Sequence, residues 1–284
     1  VSYVLGSLSL VVMLRVFHVE LRATFLFRVG LLSVVLQNLI ALPAGISLRL
    51  LLLGGSGVPN SQTLGASFLL AYMKNLAYFT LIPLSLIYVA VTYHLPTGVG
   101  GTLAVVGILT VLGIIIATFV VLHRRTRVLV LRGIRRLWLW VTHRDIRGSL
   151  MRFEQAVSAG LMHIREYPRV RLPLFGLILG DVAATIATLW FCFAALGIPI
   201  HLGVLITGFN FGITLTVISL LPGDLGVQEA SMAGIFALFG VPFSQGVLAA
   251  ILFRVLFYFV PFVVSLAFYW HTLRDAARGK VATA

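Results

Sequence analysis

Charge is the first thing this 284-residue chain lacks. Only 10% of its residues are Asp, Glu, Lys or Arg, where a soluble domain carries roughly a quarter. With 60% hydrophobic residues and a mean hydropathy of +1.07, the apolar surface exceeds what one soluble core could bury, which excludes a soluble globular domain. Cysteine is nearly absent too. The single Cys192 lies in an apolar run, which excludes a disulfide framework or a cysteine metal cluster and leaves it as a small packing residue. Seven histidines are scattered without ligand spacing. There is no HExxH, no P-loop, no Gly-x-Ser-x-Gly and no Asp-rich metal motif. The expectation is therefore no catalytic residue, no cofactor and no metal. His163 and Glu166 share a helical face in His-Ile-Arg-Glu, and we read them as a solvated pair.

What is present is a series of long apolar runs. Residues 95–122 contain no Asp, Glu, Lys or Arg, and roughly 20 apolar residues suffice to cross the hydrocarbon core as a helix. Apolar periodicity and charged breaks predict helices over about 1–14, from the charged strip at 15–28 to Leu42, and from Pro43 to 53. Further helices are predicted over 62–93, with Pro83 kinking it, and over 98–122. The second part should hold spans from Pro173 to 196 and from His201 to 221, a short helix over 227–239 and a last span over 244–271. The fold class is an all-α polytopic membrane protein. Because Val1 already lies in an apolar segment with no initiator Met, we expect residues upstream, including a further span.

The net charge of +13 is unevenly placed. Residues 123–172 hold twelve arginines against Asp145, Glu154 and Glu166. Because they lie between spans, they speak for a cytoplasmic segment and for attraction to anionic lipid headgroups, not for nucleic acid. Arg132, Arg135 and Arg136 alternate with Leu131, Ile134, Leu137, Trp138 and Trp140, a pattern suited to a helix in the membrane interface. A second polar helix is expected over 147–166. The tail, with Arg274, Arg278 and Lys280, is read as cytoplasmic as well.

The chain also resembles itself. Leu39-Ile-Ala-Leu-Pro-Ala-Gly45 pairs with Val217-Ile-Ser-Leu-Leu-Pro-Gly223, and Gly57-Val-Pro-Asn-Ser-Gln62 matches Gly240-Val-Pro-Phe-Ser-Gln245 at five of six positions. Each match precedes a long helix carrying one cation, Lys74 or Arg254. Charge-based topology puts the 54–61 turn inside and the 240–245 turn outside, so the repeat reads as inverted. Repeat 1 covers about 1–93, the linker span 98–122, the cytoplasmic amphipathic segment 123–171 and repeat 2 about 173–272. Breaks at Pro43, and at Pro222, Gly223 and Gly226, make hairpins that either cross fully or re-enter. Broken helices must face protein or a wet cavity, and inverted repeats with such helices recur in transporters.

Charges inside apolar runs are expensive and point to function. Arg49 follows the first break, Asp224, Gln228 and Glu229 flank the second, and Arg254 lies in the last span. If the hairpin tips meet, Arg49 and Arg254 face Asp224 and Glu229 across a cavity, with the arginines gripping phosphate. An ion-pair set that merely holds the hairpins together is the alternative. Lys74, Asp181 and Asp224 are expected near the interfaces, in structural roles. Asn38 and Asn210 are expected to cap or cross-link helices.

Pro222-Gly-Asp-Leu-Gly-Val-Gln-Glu229, followed by Gly240-Val-Pro242 and a helix bearing Arg254, resembles the lysylphosphatidylglycerol synthase transmembrane (flippase-like) family. Leu42-Pro-Ala-Gly45 with Arg49 resembles that family's first-half motif. The resemblance covers about 21–273. It departs at Asp224, where the family has Gly, and near Ser47, where a family acid is missing. Full synthases append a soluble aminoacyl-transfer domain, for which this chain has no room. What the resemblance implies is the flippase half: movement of a phospholipid, anionic or zwitterionic, or of a lipid-linked headgroup between leaflets. The location it implies is the cytoplasmic membrane. A lipid-acting membrane enzyme, a scaffold or partner subunit for a separately encoded lipid-modifying synthase, and a secondary transporter of a small solute are the rivals. Self-association stays open.

Overall fold

The computed structural model describes residues 1–40, 42–93, 97–142, 146–219, 226–266 and 269. All the regular structure among them is helical: α1 (Ser2–Val16), α2 (Ala23–Leu39), α3 (Leu42–Gly54), α4 (Asn60–Thr92), α5 (Thr97–Leu122), α6 (Arg124–Thr142), α7 (Arg147–Glu166), α8 (Pro168–Ala195), α9 (Leu202–Ser219), α10 (Val227–Leu238) and α11 (Phe243–Arg254). α11 continues through one π-helical stretch, Val255–Phe259, and the apolar run extends to Leu266. Among the described residues, four runs are long and apolar enough to cross a bilayer: Asn60–Thr92, Gly100–Leu122, Pro168–Ala195 and Phe243–Leu266. In hydrocarbon a helix alone satisfies its own backbone polar groups, so these apolar stretches have little other choice.

Two pairs of shorter helices fill the space between the long ones. α2 packs on α3, and α9 on α10. The second arms have 13 and 12 residues, about 20 and 18 Å at 1.5 Å per residue, against a hydrocarbon core of about 30 Å. The arms lie close where a side chain is missing. A Cβ on Gly45 would meet the Ser33 carbonyl oxygen of α2 at 2.4 Å, and one on Gly208 would meet the Phe236 ring of α10 at 2.2 Å. Pro43 occupies the first turn of α3, where its missing N–H breaks no helical bond. Pro222 and Gly223 lie outside the described residues. Gly226 is the N-cap of α10.

The matched hexapeptides adopt one turn. Gly57 and Gly240 have φ of +85° and +88°. Val58 N–H donates to Leu53 O and Val241 N–H to Phe236 O, while each glycine N–H reaches a carbonyl three residues back. These are paired Schellman caps, and the left-handed residue favours glycine. Pro59 and Pro242 then open the next helix.

Apolar cores gather at two ends. At one, Phe17, Leu53 and Leu69 pack with Val157 of α7, Val121 and Leu174. At the other, Tyr93 at the end of α4 packs with Phe239, beside Leu196 and Val241. The 54–60 turn therefore adjoins the N-terminal end of α4, and the 239–243 turn its C-terminal end.

Two expectations need revision. The third of these long helices, α8, begins at Pro168, not after Pro173: Pro168 takes the first helical position, and Pro173 forfeits a single backbone bond inside the helix. His163 does not pair with Glu166. Its ring stacks on Tyr167 at 4.5 Å and meets His18 edge-on at 5.3 Å, joining α7 to the end of α1.

Candidate functional site

Besides the Arg127, Glu154 and Ser158 set that joins α6 to α7, three clusters of polar side chains form between the apolar helices among the described residues. In the first, α3 carries Arg49 into contact with α2 and α4. Its Nε donates to Ser33 Oγ at 2.8 Å, Nη1 to Ser67 Oγ at 3.1 Å and Nη2 to Gln37 Oε1 at 3.4 Å. The side chain is 3% exposed, and every one of these partners is neutral. A buried cation without a counter-charge is costly, so this guanidinium is well placed to receive an anion.

In the second, α10 and α11 bring together three residues singled out from sequence. Arg254 Nε lies 2.6 Å from Glu229 Oε1. The other carboxylate oxygen accepts the Gly226 N–H at 2.9 Å, which closes the start of α10. Gln228 Oε1 accepts from Arg254 Nη2 and from Tyr258 Oη, both at 3.3 Å, and the Arg254 guanidinium lies 5.6 Å from the Tyr258 ring centre. Gln228 and Glu229 are both buried.

In the third, Lys74 Nζ lies 2.6 Å from Asp181 Oδ2. The Ser2 hydroxyl donates to Asp181 Oδ1 and touches Thr185, which Tyr78 also reaches at 3.5 Å. Neither charge is at an interface: each falls near the middle of its helix, and Asp181 is buried. That overturns the interfacial expectation for both. Next to Ser2 in the chain, Tyr3 Oη donates to the Phe257 carbonyl at 2.6 Å and accepts from Asn38 Nδ2 at 3.1 Å. That carbonyl belongs to the π-helical stretch, a local irregularity often found where function is placed.

The structure unites Glu229, Gln228 and Arg254, but it does not set Arg49 against them: Arg49 is held by its own repeat's hydroxyls and amide. α3 itself carries no acid that could pair with it. Asp224 lies outside the described residues. Asn38 cross-links α2 to α1 as expected. Asn210 does not cross-link through its amide: buried Nδ2 has no partner among the described residues. Ser33, Gln37, Tyr78, Thr185 and Tyr258 were missed. Their signal was spacing, because Ser33 and Gln37, Lys74 and Tyr78, Asp181 and Thr185, and Arg254 and Tyr258 are each four residues apart on one helix face.

Long apolar helices around buried ion pairs and an unneutralised arginine define an integral membrane protein with a polar interior. Residues 1–265 match the family described as Lysylphosphatidylglycerol synthase TM region. The chain belongs to that family, which makes it a membrane protein of the lipid-related kind. Neither a curated protein nor a solved structure matches it.

Proposed function

We propose that this protein is a lipid flippase-like transporter, which passes a phospholipid or lipid-linked headgroup between leaflets while the acyl chains stay in the bilayer. Arg49 carries this reading: a guanidinium 3% exposed, held only by neutral groups, has donors suited to a phosphate. An incoming phosphate displaces the long contact to Gln37 first. Arg254 offers a second guanidinium. Glu229, Gln228 and Asp224 balance it or receive a headgroup amine. The protein moves the lipid and leaves its bonds intact.

The transport route follows from an inverted repeat of α1–α4 and α8–α11. Ser2 and Asp181, which touch, stand 179 residues apart, and so do His18 and Gly197, the left-handed caps of α1 and α8. The caps at Gly57 and Gly240 are alike in detail, and the two hairpin turns pack at opposite ends of α4. This pattern fits a pseudo-twofold axis near Ser2 and Asp181, with both hairpins re-entrant and the site close to the midplane. The arginine-rich α6–α7 side is then cytoplasmic, in the cytoplasmic membrane.

The test is lipid scrambling in proteoliposomes with headgroup-labelled phospholipids of different charge. Wild type is compared with Arg49→Gln, Arg254→Ala and Glu229→Gln, each checked for folding. Movement of one headgroup class, lost in folded Arg49→Gln, supports the reading. No lipid movement under any imposed ion gradient removes it.

A further inference from the structure

α6 has two faces and keeps one of them away from the protein. On a helical projection, Arg124, Arg125, Arg132, Arg135 and Arg136 fall in one sector together with the half-buried Val128 and Leu139, and Leu129, Val130, Ile134, Leu137, Trp138, Trp140 and Val141 spread over the rest. That apolar sector is bare: Trp140 is 78% exposed, Leu137 63% and Leu129 60%. Arg127 is the exception among the cations. It turns inward to Glu154 and Ser158 of α7 and caps the Val121 carbonyl at the end of α5. α7 in turn packs on α4 through Phe153 against Phe68. α6 is therefore fastened along one edge, and its wide apolar face is left outward.

Where that face lies is constrained by the chain. Only His123 separates the apolar span Gly100–Leu122 from Arg124, and only Tyr167 separates α7 from the apolar span Pro168–Ala195. Both ends of the α6–α7 pair are thus held at the membrane boundary, and α6 cannot stand far from it. A strongly two-faced basic helix with tryptophans, held there, matches the chemistry of a bilayer interface.

We propose that α6 docks on the anionic bilayer surface beside the transport core, with Leu129, Leu137 and Trp140 in the headgroup–acyl boundary. Arg125, Arg132 and Arg136, on the edge and outer face, attract anionic lipid headgroups. This surface is independent of Arg49 and Arg254, and it enriches anionic lipid around the protein whatever the transported headgroup is. Each cation at the surface strengthens the attraction about fivefold, the equivalent of about 1 kcal/mol.

The experiment uses the full chain in vesicles of phosphatidylcholine alone or with phosphatidylglycerol. Trp138→Phe, Trp190→Phe and Trp270→Phe together leave Trp140 as the sole tryptophan. Trp140 should be quenched by lipids brominated near the headgroup end of the chain and shielded from aqueous acrylamide. In the same vesicles, spin-labelled phosphatidylglycerol should be enriched at the wild-type protein. The enrichment should fall at least tenfold in R125Q/R132Q/R136Q and at high salt. The salt arm needs no variant, so a misfolded triple substitution does not blur the result. If acrylamide reaches Trp140 freely in both vesicle types, the face is a docking surface for a protein partner or a second copy, and the proposal falls. Enrichment that ignores both salt and the arginines overturns it equally.

Discussion

Removing one member of the Glu229–Arg254 pair should cost far more than removing both. The two side chains are 12% and 18% exposed and 2.6 Å apart. Breaking a buried pair by deleting one partner typically costs about 3–5 kcal/mol, because the remaining charge stays buried. Some exposure here argues for the lower end, about 3 kcal/mol. In Arg254→Ala, Glu229 keeps only its bond from Gly226 N–H. In Glu229→Gln, the amide oxygen can still accept that bond, so the α10 start survives and the loss is electrostatic. In the double variant neither charge of this pair is left facing the other's gap, and a coupling of about 2 kcal/mol or more should appear in the mutant cycle. The assay is denaturant unfolding in mixed micelles, with lipid scrambling run on the same four proteins. Recovered stability without recovered scrambling assigns the pair to transport. Strictly additive effects below about 1 kcal/mol each would refute the pairing itself.

Three other outcomes are expected. Gly57→Ala and Gly240→Ala should each destabilise by about 1 kcal/mol, since both force a side chain into the left-handed region; a large difference between them, in the same unfolding assay, speaks against equivalent turns. Lys74→Met should destabilise strongly by stranding Asp181, and Lys74→Met with Asp181→Leu should recover much of that loss; recovery is read as the detergent melting temperature. Burial raises the Glu154 pKa, but the Ser158 hydroxyl, Arg127 and Arg124 together outweigh it and hold it below the usual carboxylate range. Its folded value is depressed, so its contribution to holding α6 on α7 is complete above the ordinary Glu pKa of about 4.3. It fades as pH falls through the lower folded value. Hydrogen exchange in α6 should therefore separate wild type from Glu154→Gln at neutral pH and converge in acid.

The membrane class, the helix map, the paired turns and the amphipathic α6 were legible in the sequence, because each depends on local pattern. Twenty apolar residues without charge have to be helical in lipid, and Gly-Val-Pro makes the same cap at both places where it follows a helix here. The Arg254–Glu229 pair was half legible: Arg49 and Arg254 were set against Asp224 and Glu229 as a group, but which acid each arginine meets was not. Only the tertiary structure decided that Lys74 neutralises Asp181 at mid-span, and that Arg49 is left to two serines and a glutamine. Spacing along a helix says which side chains share a face, whereas neutralisation depends on which other helix that face meets, and packing alone fixes that.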